Sequence, residues 1–138
     1  MADGIFQVEI LASDHVFYIG PCESIIVPTV EGFYGIKAHH TNMVSEIVEG
    51  ALTYRLPGEQ NQIAAVSGGI VKGENNEVLV LVNTIERPEE IDENRARREA
   101  EEARELILQK RSIREYRTAQ ATLARALNRL KVKGFRGY

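Results

Sequence analysis

Phe6, Val8 and Ile10 alternate with Gln7 and Glu9, the two-residue period of a strand with one face buried. Short β-branched or aromatic runs follow at 16–19, 24–27, 33–36, 43–48, 52–56, 63–67 and 78–82. Turn signals separate the later runs: Glu31-Gly32, Glu49-Gly50, Pro57-Gly58, Gly68-Gly69 and the stretch 73–76. Glycine at such places supplies positive φ. Many short strands at this spacing predict an antiparallel β-sandwich or barrel.

The period changes at Arg87-Pro88, and no glycine or proline follows until Gly134. Pro88 suits the start of a helical segment, and Asp92 suits an N-cap, with acids clustered where the helix end is positive. Ala96, Ala100, Ala103 and Ile107 fall on one helical face. After a polar break at 109–112, the positions Ile113, Tyr116, Gln120, Leu123, Leu127 and Leu130 step 3-4-3-4-3 and predict the seam of a second helix. So short a connection folds the helices back on each other, and Gly134 stops the second. The expected fold is α+β: an N-terminal antiparallel β-sandwich over 1–86, then a C-terminal antiparallel α-helical hairpin over 87–138. An alanine-rich seam removes little area from water, so the hairpin is expected to open or detach without a large penalty.

Charge sharpens the division. Residues 1–86 carry three basic residues against eleven acids, a balance of −8. Residues 87–138 carry fourteen against nine, and within them 109–138 holds nine basic residues and one acid, a balance of +8. The last thirty residues should therefore seek an anionic partner. The lone Cys22 forms no internal disulfide and reads as a small buried apolar residue. Nothing approaches the roughly 20 apolar residues of a membrane span. The start of the chain has no positive charge before an apolar stretch, so no signal peptide is expected.

The search for catalysis is largely negative. There is no phosphate-binding loop, and Ser67-Gly68-Gly69 lacks the preceding glycine of a nucleophile elbow. His39 and His40 are adjacent, would face opposite ways in a strand, and lie far from His15, so no metal site is expected. The acidic first domain and the scarcity of aromatic residues on the basic helix oppose nucleic-acid binding.

One polar constellation stands out. Arg125 and Arg129 share a face of the second helix, and an antiparallel hairpin brings that face toward Arg95 at the start of the first. Guanidinium groups gathered there either pair with nearby glutamates or join around an anion such as a phosphate, with Asp92 beside it.

Four stretches carry a family resemblance. These are Glu31-Gly32-Phe33-Tyr34-Gly35-Ile36 with His40 downstream, Val66-Ser67-Gly68-Gly69-Ile70-Val71, Ile91-Asp92-x-x-Arg95-Ala96, and Arg125-Ala126-Leu127-Asn128-Arg129-Leu130. Their order and spacing resemble the epsilon subunit of bacterial F-type ATP synthases over essentially the whole chain. The resemblance implies a non-catalytic central-stalk subunit of a proton- or sodium-translocating enzyme, peripheral on the cytoplasmic face of the cell membrane. Its implied partners are the gamma subunit, the ring of c subunits and the beta subunit. The sandwich docks on the rotor, with Glu31, Gly32, Phe33 and His40 as docking residues. The hairpin extends to inhibit ATP hydrolysis, with Arg111, Arg114, Arg117, Arg125 and Arg129 as contacts. No cofactor is implied; ATP is a possible regulatory ligand of the folded hairpin, held by Ile91, Asp92, Arg95, Ala96, Arg125, Arg129 and Glu86. The chain departs from the family at Phe33, where an acid is common, and at Glu102, where ATP-binding members carry a basic residue.

Overall fold

The computed structural model describes residues 4–109 and 112–134. Ten strands come first: β1 (Phe6–Ala12), β2 (Val16–Cys22), β3 (Ser24–Thr29), β4 (Gly32–Lys37), β5 (Met43–Ile47), β6 (Gly50–Arg55), β7 (Gln62–Val66), β8 (Gly69–Glu74), β9 (Glu77–Val82) and β10 (Ile85–Glu86). They form two five-stranded sheets, ordered β2-β1-β9-β8-β5 and β10-β7-β6-β3-β4. The alternation at the start of the chain is a real one: Phe6, Val8 and Ile10 point into the space between the sheets, and Gln7 and Glu9 point out. Facing them from the second sheet are Ile25, Val27, Ile36, Leu52 and Val66, all essentially dry. The strand pairs are antiparallel as expected, with one exception: β1 and β9 run parallel, Val8 opposite Val78.

Two details correct the reading of the turns. The stretch 69–74 is a strand, not a pair of turns around a short link. Gly69 lies within it because a Cβ there would stand 1.9 Å from the Leu81 carbonyl oxygen, so glycine permits close backbone approach rather than a positive φ. The reversal into β9 falls to Asn75 and Asn76 at φ 51° and 60°, the paired left-handed conformation of a two-residue hairpin loop.

After β10 a single 3₁₀ turn, Pro88–Glu90, leads into α1 (Glu93–Gln109) and α2 (Ile113–Lys133). Asp92 does cap α1: its Oδ1 accepts from the Arg95 backbone N–H at 3.1 Å. Ser112 caps α2 in the same way through the Glu115 N–H, and Gly134 closes it. The helices are antiparallel, since Lys133 near the end of α2 donates to the Pro88 carbonyl at 3.0 Å.

The seam between them differs from expectation on one side. On α1 it is Ala96, Ala100 and Ala103, as the spacing indicates. On α2 it is Ala119 and Ala126, while Ile113 is 73% exposed and Leu127 40% exposed. Both helices carry a small-residue stripe, and alanine against alanine lets the backbones approach where larger side chains would prop them apart. Of the larger stripe, Ile113, Tyr116 and Leu127 therefore turn outward, while Leu123 and Leu130 are half-buried.

The hairpin lies against the outer face of the β10-β7-β6-β3-β4 sheet. The apolar contact there is small: Ile63, Ala65, Ile91 and Val132, with Ala51 at its edge. Arg87 anchors the connection, stacked 4.1 Å from the centre of the Phe17 ring and paired with Glu90.

Candidate functional site

The polar constellation assembles at the junction of β10, α1 and α2. Arg129 on α2 donates from Nε to Glu86 at 2.6 Å and from Nη1 to Glu99 Oε2 at 3.2 Å. The other oxygen of Glu99 accepts from Arg95 Nε at 3.0 Å. The run Glu86–Arg129–Glu99–Arg95 thus ties the sandwich to both helices. Its central groups are only part-exposed, 22% for the Arg129 side chain and 27% for each carboxylate. Arg125, one turn back on α2, stands 3.7 Å from Glu49 on the β5–β6 loop. Burial pushes the Glu49 carboxyl above its ordinary range, against the smaller opposing pull of Arg125 and Arg129.

Of the nucleotide candidates, Glu86, Arg95 and Arg129 meet here, joined by a carboxylate. Asp92 is engaged as the cap of α1, with its residue exposed. Ile91 and Ala96 are buried packing residues, the first in the sheet-to-hairpin contact and the second in the helix seam. Arg125 joins through Glu49 rather than through the central pair. Sequence reasoning missed Glu99 and Glu49. The first had a signal, because Glu99 stands four residues after Arg95 and the two share a helix face. The second had none, since Glu49 reaches Arg125 only through the tertiary fold.

Glu31, Gly32 and Phe33 sit at the tip of the β3–β4 hairpin, with Gly32 at φ 117°. Val30 and Phe33 flank that tip at 81% and 67% exposure. His40 lies beyond the other end of β4, yet Tyr34 links it back to the strand: the tyrosine hydroxyl and His40 Nε2 are 2.9 Å apart. His40 Nδ1 lies 2.7 Å from the Thr41 carbonyl, so the neutral ring donates there and accepts from Tyr34 at Nε2. Of the helical arginines, Arg114 and Arg117 are exposed, Arg129 is engaged, and Arg111 lies outside the described residues. Among the described residues no cluster of three metal-ligating side chains occurs, and no helix is long and apolar enough to cross a membrane.

The chain is thus a two-sheet sandwich to which a two-helix arm is held by a small apolar contact and a few ion pairs. The beta-sandwich domain of the ATP synthase delta/epsilon chain matches residues 5–88, and the long alpha-helix domain of the same chain matches 89–134. The ATP synthase epsilon chain of Caldicellulosiruptor bescii is 38% identical over 127 residues, 92% of each chain. That of Shouchella clausii is 37% identical over 131 residues, covering 95% of this chain and 96% of its own. The chain belongs to the ATP synthase delta/epsilon family, among the bacterial epsilon chains, and is a non-catalytic subunit of that enzyme. The fold is shared with a chain in the cryo-EM structure of the Euglena gracilis mitochondrial ATP synthase OSCP/F1/c-ring assembly. That likeness has a TM-score of 0.79 at 20% identity, over 90% of this chain and 78% of the other.

Proposed function

We propose that this subunit rides on the central stalk of a proton- or sodium-translocating F-type ATP synthase, at the cytoplasmic face of the cell membrane. There it couples the catalytic head to the membrane ring and restrains ATP hydrolysis through its helical arm. In this reading residues 1–86 are the docking domain and 87–138 the regulatory one. The tip at Val30–Phe33 offers an acid between two exposed apolar side chains, suited to the c-subunit ring. The outer face of the β2-β1-β9-β8-β5 sheet exposes Ile19, Val44, Ile70 and Leu81, an apolar surface suited to the gamma subunit.

The observation that carries the regulatory part is the seam. Alanines hold the hairpin closed, while the larger side chains of α2, Ile113, Tyr116 and Leu127, stay outward. An arm that extends toward the head can present that stripe, with exposed Arg114 and Arg117 beside it, to an acidic segment of the beta subunit. Removing residues 88–138 should raise ATP hydrolysis by the assembled enzyme and leave assembly intact. Unchanged hydrolysis contradicts the inhibitory role.

A second reading, nucleotide sensing, draws on the convergence of Arg95 and Arg129 on one point. Calorimetry with ATP on the isolated chain, compared with Arg95→Ala and Arg129→Ala, tests it. Absence of heat in the wild type rejects it.

A further inference from the structure

We propose that the docked hairpin is clasped by the chain's own carboxylates, so that its docked state needs no bound anion. This rests on the reading of the hairpin as a movable arm and names what holds the arm down. Glu86 from the sandwich and Glu99 from α1 grip one guanidinium from two sides. Releasing α2 from the sheet breaks the Glu86 contact, and parting the helices breaks the Glu99 contact. One side chain, Arg129, therefore reports on both the docking of the arm and its closure.

The clasp is balanced. Two carboxylates face two guanidinium groups, and Glu99 is already committed at both oxygens, to Arg95 and to Arg129. An incoming polyphosphate meets a neutral cluster and gains Arg129 only by displacing a carboxylate that the fold already holds in place. Arg125 beside Arg129 is likewise matched by Glu49 at 3.7 Å and adds no uncompensated positive charge toward such an anion. Around the clasp the other holds among the described residues are few: the four-residue apolar contact, Arg125 at 3.7 Å from Glu49, Asn128 Nδ2 donating to the Gly50 carbonyl at 2.8 Å, and Lys133 donating to Pro88. With so little apolar area in the contact, charge-assisted bonds at three-quarters burial hold a large share of the docking, and salt weakens them.

Spin-label distances test the clasp on the isolated full chain, with cysteines introduced at Asp14 on the sandwich and Ala121 on α2. Both positions are exposed, and Cys22 is fully buried and takes no label. The wild type should show mainly the docked distance without nucleotide, and millimolar Mg-ATP should leave that distribution unchanged. Glu86→Gln should raise the ratio of displaced to docked molecules by about tenfold, as should high salt, and Glu99→Gln should raise it by less, because its contact lies between the two helices. In an Arg129→Gln background the two glutamine changes should add nothing further, the signature of one shared contact. A wild type that docks only with Mg-ATP overturns the clasp. So do glutamine variants that leave the ratio unchanged, or that act as strongly without Arg129. ATP hydrolysis by the assembled enzyme is not read, so the clasp can fail while the inhibitory arm stands, and the arm can fail to inhibit while the clasp holds.

Discussion

Phe6, Ile10, Ile25, Ile36, Ile47 and Leu52 are sealed between the two sheets of the sandwich, while among the described residues of α1 and α2 the buried side chains are five alanines and Val132. The first set removes a large apolar area from water and meets it with continuous hydrogen-bonded ladders on both sides. The second set gives close helix contact but little area, and the hairpin reaches the sheet through four apolar residues and a handful of charged and polar bonds. Local opening follows such differences: segments with few buried contacts open at low free energy, and dense cores open only with the whole fold. The proposed role rests on this difference between a base sealed by a dense core and an arm held by few contacts.

Mutations in the two regions should separate accordingly. The largest effect belongs to the base. Leu52→Ala leaves a cavity between the sheets at a fully buried position and should cost about 3–4 kcal/mol, lowering the main thermal transition of the whole chain. The comparison breaks if that transition is unmoved. Val132→Ala comes next. It thins the contact between α2 and the sheet by about 2 kcal/mol, which should free the arm while the melting of the sandwich, followed by the β-sheet amide band in the infrared, stays put. A matching fall in the sandwich transition would mean that the two regions form one cooperative unit.

Glu49→Gln should have the smallest effect, within about 0.5 kcal/mol at neutral pH. Burial is the leading influence on this carboxyl and raises its folded pKa above 4.5, outweighing Arg125 and Arg129. The folded chain therefore binds this proton more readily than the unfolded one. The resulting stability is fully present below the unfolded value and is lost as pH rises through the folded one. Glutamine removes that contribution, so the variant's stability should fall less than the wild type's as pH rises across the window just above 4.5, as measured by urea unfolding at several pH values. A steeper fall in the variant reverses the sign and places Arg125 above burial.

Much of this division was legible in the residues. The alternation of β1 and the loss of glycine and proline after Arg87 mark the two regions, because strand and helix periods are local properties of the chain. The strand 69–74 was not legible, because its glycines read as turns until the Leu81 backbone is seen pressed against Gly69. The seam of α2 was misread for a related reason. The helix has two plausible stripes, and only the partner helix, lined with alanines of its own, decides which one faces in. The arginine cluster was legible as a convergence. Pairing with glutamates was one of the two readings the residues allowed, but which glutamates was not legible, since Glu86 reaches Arg129 from a strand more than forty residues away.

Native-state hydrogen exchange on the intact chain tests the central claim most directly. The account predicts two classes of protected amide: those of β1, β6, β7 and β9 opening only with global unfolding, and those of α1 and α2 opening together at a much lower free energy, made lower still by salt. A single class, with the helices as slow as the core strands and indifferent to salt, would contradict it.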